Sequence, residues 1–143
     1  MTPQQARAHI EAAFKAEWGS LCPVDYNNDM QSVPAAPFVR MTVRNGGTSV
    51  PQSMNGDLIR YERFGIVIVQ VFTALGIGPA PADALARKAL EILEGRDFGR
   101  SSNDVLSLGA ATQTDIGNND AGHWQVNVSV PFGYAEYRTK RYV

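Results

Sequence analysis

The chain has 143 residues, of which 44% are hydrophobic and 19% are charged, and this is the composition of one globular domain of ordinary size. Thirteen Lys and Arg residues against fourteen Asp and Glu residues give a net charge of −1. These values exclude a disordered chain and a strongly basic protein that holds bare nucleic acid through its phosphates. Cys22 is the one cysteine, so an internal disulfide and a thiolate metal cluster are excluded as well.

The chain begins with MTPQQARAH, which has no apolar core of a secretory signal. Its longest apolar stretch, residues 65–78, is too short and too rich in Gly to span a bilayer. We therefore expect a protein made and used in a reducing cytoplasm.

A first helix is predicted from its capping residues and its apolar spacing. Thr2, Pro3 and Gln5 read as the N-cap, the first helical residue and the capping-box partner. Apolar residues then recur at helical spacing, and Gly19 stands where a C-cap glycine belongs: Ala6, Ile10, Ala13, Phe14 and Trp18. One face of this helix is therefore expected to pack on a core.

Two strands with a long loop between them follow a connection rich in Pro and Asn. Phe38–Arg44 alternates apolar and polar residues, which indicates a half-buried strand. Asn45–Asp57 (NGGTSVPQSMNGD) follows turn chemistry and is longer than a tight hairpin loop. Leu58–Thr73 holds a nearly continuous run of β-branched and aromatic residues, so we expect a strand at the sheet centre that is buried on both faces.

The second half predicts one helix and two strands. Residues 82–93 carry an apolar stripe, and Gly95 ends that helix. Val105–Ala111 is a predicted strand, and Thr114–Gly122 is rich in turn residues. His123–Val130 alternates cleanly, and Pro131 is expected to end this strand or to mark an edge.

This order of elements predicts an α+β fold. The last two strands are joined by about a dozen residues, which is too few for a helical crossover. We therefore expect a single domain, residues 1–143, with a mainly antiparallel sheet and two helices packed on one of its faces.

The sequence offers no recognisable catalytic, cofactor or metal site. His9 and His123 belong to no ligand spacing such as HExxH, and Cys22 has no base beside it in the pattern. GIGPAPAD at 76–83 lacks the residues of a phosphate-binding loop. Two Asp/Asn clusters superficially resemble calcium loops but are explained by turn chemistry: Asp25 to Asp29, and Asp115 with Asn118, Asn119 and Asp120.

The charge distribution and the C-terminal aromatics favour an interface. No Lys or Arg lies between Arg100 and Arg138, whereas four carboxylates do: Asp104, Asp115, Asp120 and Glu136. The chain then ends with Tyr137, Arg138, Lys140, Arg141 and Tyr142. Such an arm could stack on nucleic acid, or it could pack on a neighbouring subunit, because Tyr and Arg are favoured interface residues.

Two segments together carry a family resemblance. Arg60–Phe98 (RYERFGIVIVQVFTALGIGPAPADALARKALEILEGRDF) runs from a strand through VQVFTALGIG into an alanine-rich helix, and Gly122–Glu136 (GHWQVNVSVPFGYAE) forms a last strand. In this combination the chain resembles the tail terminator proteins of long, non-contractile-tailed bacteriophages and related prophage proteins of unknown function. The resemblance covers most of the chain, and its motifs are packing signatures.

The resemblance implies a structural protein of the virion and not an enzyme, with no cofactor. Such proteins form a homohexameric ring on the last ring of the tail tube, at its head-proximal end, after synthesis in the host cytoplasm. The ring stops tube elongation and offers the surface for the head-completion or connector protein. DNA passes through its lumen without specific binding.

Two interface hypotheses follow for this chain. The charge split assigns the contact between protomers to the sheet edges and the C-terminal arm, which begins at Tyr137. Its cations Arg138, Lys140 and Arg141 are expected to face carboxylates of the next copy. The long loop, with Thr48, Ser49 and Gln52, is assigned to contact with the tail tube or the lumen.

Other classes of protein remain open from the sequence. A head-completion or tail-tube subunit is one alternative. A small α+β enzyme or ligand-binding protein is another, and it would need a deep pocket with convergent polar groups, for which His123 or Asp104 are the candidates.

Overall fold

Two helices and eight strands form the described part of the chain, residues 1–27 and 32–142 of a computed structural model. The helices are α1 (Pro3–Trp18) and α2 (Ala80–Leu93), and a short 3₁₀ turn covers Arg100–Ser102. The strands are β1 (Val24–Tyr26), β2 (Phe38–Thr48), β3 (Gln52–Ser53), β4 (Leu58–Ala74), β5 (Asp97–Phe98), β6 (Leu106–Leu108), β7 (Thr112–Asn118) and β8 (His123–Thr139).

The strands make one mixed sheet in the order β1-β2-β4-β8-β6-β5, with β3 beside β4 and β7 beside β8. β1 runs parallel to β2, and the other pairings are antiparallel. The sheet is therefore mixed, and this corrects the prediction of a mainly antiparallel one. The sequence did not reveal β1, because three residues inside a connection rich in Pro and Asn are too few to show an alternation.

α1 begins and ends as its sequence predicts. The Gln5 N–H donates to Thr2 Oγ1 at 3.2 Å, and the Thr2 N–H donates to Gln5 Oε1 at 2.8 Å, which completes a capping box. Gly19 follows the last turn with a φ of 61°, a conformation that costs glycine little. The apolar stripe of α1 is buried: Ala6, Ile10, Phe14 and Trp18.

Both helices cover the same face of the sheet, as predicted. β2, β4 and β8 each supply three successive buried side chains to that face: Val39, Met41 and Val43; Val67, Val69 and Val71; Val126, Val128 and Val130. α2 contributes the small side chains of Ala82, Ala86 and Ala89, which let its backbone approach the sheet closely. Burying each of the larger aliphatic side chains stabilises the fold by roughly 1.5–3 kcal/mol.

The opposite face of the sheet is covered only in part, and this corrects the prediction for the strand β4. The strand lies at the sheet centre, between β2 and β8, as predicted. Ile66 and Ile68 point away from the helices, however, and are only half-buried. The prediction of burial on both faces is confirmed at the end of β4, where Phe72 is buried beside Phe38. It is wrong at Ile66 and Ile68, because the described residues place no helix on the second face.

Three segments are more regular than their sequences predict. β8 continues through Pro131 to Thr139, because β7 pairs with it up to Ser129 and β6 from Phe132 onwards. Pro131 thus lies where no neighbour needs an N–H group, and its carbonyl accepts from the Gly109 N–H at 2.8 Å. Residues 114–118 belong to the strand β7 instead of a turn, and Asn45–Asp57 contains the end of β2 and all of β3.

Candidate functional site: a basic tongue at one end of the sheet

The structure brings the two predicted interface segments together at one end of the sheet. Residues 44–64 and 133–142, called the tongue here, comprise the end of β2, β3, the first part of β4, the last part of β8 and the residues after it. Arg60 of β4 pairs with Gln52 on one side and with Tyr137 on the other. The Lys140 N–H closes the arrangement by donating to the Asp57 carbonyl at 2.7 Å.

The residues predicted for the long loop are held by β4. Thr48 Oγ1 accepts a hydrogen bond from Arg63 Nη1 at 3.1 Å. Ser49 donates its N–H to the Glu62 carbonyl at 2.8 Å, and its hydroxyl accepts from the Glu62 N–H at 3.3 Å. Gln52 Oε1 accepts from Arg60 Nη1 at 3.4 Å. The segment predicted as a long loop is therefore tied to the sheet.

The C-terminal residues lie along the same structure. Tyr137 is 47% exposed, Arg138 stands opposite Ile59, and Arg141 is exposed. The Tyr142 hydroxyl donates to Asp57 Oδ1 at 2.7 Å, and this bond raises the pKa of Tyr142. The Lys140 ammonium lies 5.7 Å from the centre of the Tyr142 ring.

Exposed apolar side chains concentrate on the tongue. Of the eleven large hydrophobic side chains exposed in the described part of the chain, the tongue carries six: Val50, Met54, Leu58, Phe64, Tyr137 and Tyr142. Val50 is the most exposed of them, at 82%. Scattered exposed apolar residues need no explanation, but a cluster of them is typical of a surface that contacts another protein. Leu58 and Phe64 were not predicted as interface residues, although their spacing of two from Arg60 and Glu62 places all four on one strand face.

The tongue is also positively charged. It holds six of the thirteen cationic residues and three of the fourteen carboxylates, a net charge of +3, while the rest of the chain carries −4. Arg60 pairs with Glu62 at 2.7 Å, which raises the pKa of Arg60, and Arg63 pairs with Glu136 at 2.7 Å. Within the described residues the other four cations of the tongue have no carboxylate partner: Arg44, Arg138, Lys140 and Arg141.

A hollow of about 370 Å³ lies on the open face of the tongue. Arg60, Glu62, Phe64 and Tyr137 line it, and Gly133 keeps its floor low because it has no side chain. An ion pair and a phenol can hold a polar group of a partner. They do not form a nucleophile and base pair of the kind that an acyl or phosphoryl transfer needs.

The residues proposed for an enzymatic or ligand-binding site, His123 and Asp104, do not lie together. His123 lies edge-on to Phe38 and Phe72, with ring centres 5.5 and 5.9 Å away, at the end of β8 remote from the tongue. Asp104 Oδ1 accepts from the Met1 amine at 2.9 Å. Burial raises the pKa of the Cys22 thiol, which disfavours the reactive thiolate.

Asp25, Asn119 and His9 have structural contacts within the described residues. Asp25 is buried in β1 and accepts from Arg40 Nε at 3.3 Å, whereas Asn28 and Asp29 lie outside the described residues. Asn119 closes a turn by accepting from the N–H groups of residues 121 and 123. His9 stacks on Phe98 at 5.9 Å. Residues 1–27 and 32–142 contain no group of three or more potential ligands that could hold a metal ion.

The comparisons with known proteins support the fold and nothing finer. Neither a family model nor a curated protein matches the chain. Among solved structures 21 chains match, and one of them, whose name carries no functional description, has a TM-score of 0.60 and 19% identity over 94% of this chain and 96% of that chain. At that identity the likeness shows a shared α+β fold over nearly the whole length. Within the described residues, the helices are also too short or too polar to cross a bilayer.

Proposed function

We propose that this chain is a phage virion assembly protein of the tail-terminator kind. In this role it forms a homohexameric ring on the last ring of the tail tube, stops tail elongation and offers the surface for the head-completion or connector protein. DNA passes through the lumen without specific binding. The chain acts by binding and assembly, and it is not an enzyme.

The tongue carries this proposal. A projecting end of a sheet that combines six exposed apolar side chains with a net charge of +3 is suited to contact with another protein. The sequence likeness of Arg60–Phe98 and Gly122–Glu136 to tail terminators names the kind of assembly. Six equivalent protomers form a ring only if each contact joins two different patches and the rotation closes. A patch at one end of the sheet can be one side of such a contact.

Two parts of the tongue are assigned different contacts within this function. Tyr137, Arg138, Lys140 and Arg141 are assigned to the neighbouring protomer. The contact with the tail-tube protein is assigned to Thr48, Ser49 and Gln52. The exposed apolar side chains of Val50 and Met54 belong to the same contact. Both assignments follow from the exposure of these residues and from the polarity of each segment.

Native mass spectrometry over a range of protein concentrations tests the proposal. We expect one discrete hexamer, because a terminator must close into a single ring. An open series of larger species would instead indicate a tail-tube subunit, which polymerises. A monomer that neither assembles alone nor binds tube ends in the presence of the tube protein would contradict the proposal.

A further inference from the structure

Three more exposed apolar side chains lie toward the opposite end of the sheet. They are Leu75 and Ile77 in the connection between β4 and α2, and Ile116 in β7. Their exposed fractions are 46%, 54% and 47%. Together with Asp83, Asp115 and Asp120 they form the surface called the acidic end here.

Contacts join the elements of the acidic end into one surface. Leu75 and Gly76 share a hollow of about 190 Å³ with Asn118 and Trp124, which brings the β4–α2 connection against the β7–β8 hairpin. The first turn of α2 joins it from the side, because Gln113 Nε2 donates to Asp83 Oδ1 at 3.3 Å.

The charge of the acidic end is the opposite of that of the tongue. Residues 74–86 and 110–126 contain three carboxylates and neither Lys nor Arg. Within the described residues, no cation pairs with Asp83, Asp115 or Asp120. The two surfaces thus carry net charges of −3 and +3, and both expose large apolar side chains.

The two surfaces cannot meet within one molecule. β4 runs from Leu58 in the tongue to Ala74 at the acidic end, and its 17 residues correspond to roughly 50 Å of strand. β8 runs back over the same length with an unbroken register. Only a second molecule can therefore bring a tongue to an acidic end.

The strand β7 also lacks cover in the single chain. Its first five residues are exposed, on both sides of the strand, and its only described partner is β8. A strand with an unpaired edge and no buried side chain is incomplete as part of a sheet. β7 lies within the acidic end. Its unpaired edge is therefore close to Asp115, Asp120 and the exposed side chain of Ile116.

We propose that the C-terminal part of the tongue, residues 137–141, of one copy docks on the acidic end of the next copy, with Arg138 and Lys140 facing Asp115 and Asp120. This inference rests on the proposed ring-forming function, since it names the partner of the tongue as a second copy of this chain. A contact between two different patches is head-to-tail, and such contacts either close into rings or continue into filaments.

Charge reversal with cross-complementation tests this contact. One variant is Arg138→Glu with Lys140→Glu, and the other is Asp115→Lys with Asp120→Lys. Each variant alone places like charges against each other, so we expect the concentration needed for assembly to rise at least ~100-fold in native mass spectrometry at low ionic strength. Mixed in equal amounts, the two variants present complementary charges at every contact, and assembly should return.

A matched control reverses two exposed cations outside both surfaces, Lys15→Glu with Arg100→Glu. Both side chains are exposed, and we expect assembly equal to that of the unchanged chain. We expect every variant to fold, because the changed side chains are exposed. Circular dichroism checks this.

The outcomes separate this proposal from the proposed function. A closed hexamer that survives both reversals overturns the docking of tongue on acidic end and leaves the ring-forming function standing. Open filaments that depend on both patches support the docking and contradict the terminator function. A chain that stays monomeric at high concentration and low ionic strength overturns the docking, as does failure of the mixed variants to assemble.

Discussion

Gly65 is the residue at which the sheet has the least room. A Cβ atom there would lie closer than 3.0 Å to Phe132 Cζ and to the Arg44 carbonyl oxygen. The aromatic ring of Phe132 lies over the glycine on the neighbouring strand, in the position where a side chain would otherwise stand. The junction between the core and the tongue therefore depends on the absence of one methyl group.

We expect Gly65→Ala to lower the free energy of unfolding by about 2–3 kcal/mol, because the clash with backbone cannot be relieved by a side-chain rotation. Urea denaturation measures this change. Gly47→Ala is the matched control, since a Cβ at Gly47 meets nothing within 4 Å, and its effect should stay within about 0.5 kcal/mol. Equal effects of the two substitutions would refute this account of Gly65.

At the scale of elements, the tip of the tongue is exposed although it is hydrogen-bonded to β4. Residues 50–55 leave all their side chains exposed. They include Gln52 and Ser53 of β3, which pair with β4, and Met54, whose N–H donates to the Leu58 carbonyl at 2.9 Å.

We expect a chain in which residues 50–55 are replaced by a short glycine-containing turn to keep its melting temperature within a few degrees. If this turn contacts the tail tube, tubes formed in the presence of the variant should be longer than those formed with the unchanged chain. Electron microscopy of tubes from co-expression with the tube protein measures their length. Arg87→Glu serves as the surface control, and equal tube lengths would contradict the assignment of Gln52 and this turn to the tail tube.

Elements with a strong local signal were predictable, and elements made by pairing were not. Thr2 and Gln5 capped α1 as expected, and the alternation after His123 marked β8. β7 is exposed and polar on both sides, so its sequence lacks the alternation of apolar and polar residues that marks a strand. Its residue types are those of a turn. The tongue likewise exists because Gln52, Arg60 and Tyr137 become neighbours across strands, which no local pattern reveals.

At the scale of the molecule, one core joins both helices to three central strands. The buried side chains of α1, α2, β2, β4 and β8 form one connected cluster. Trp18 belongs to that cluster and Trp124 packs against it.

The chain should therefore unfold in one cooperative transition, with coincident midpoints by tryptophan fluorescence and by far-ultraviolet circular dichroism. In the variant Trp124→Phe, Trp18 is the one remaining indole. The fluorescence midpoint of this variant should equal its own midpoint by circular dichroism. Two separate midpoints in the unchanged chain would show that the sheet and the helical layer unfold independently.

The separation of charge along β4 and β8 gives the molecule a large electric dipole. Three net charges of each sign lie toward opposite ends of strands that span roughly 50 Å, so the two patches together contribute a dipole along the strands. At about 0.01 M salt the Debye length is about 30 Å, so the charges of two such molecules orient them before contact. At 0.15 M ionic strength that length shrinks to about 8 Å, so orientation is selected only in the last moments of an encounter.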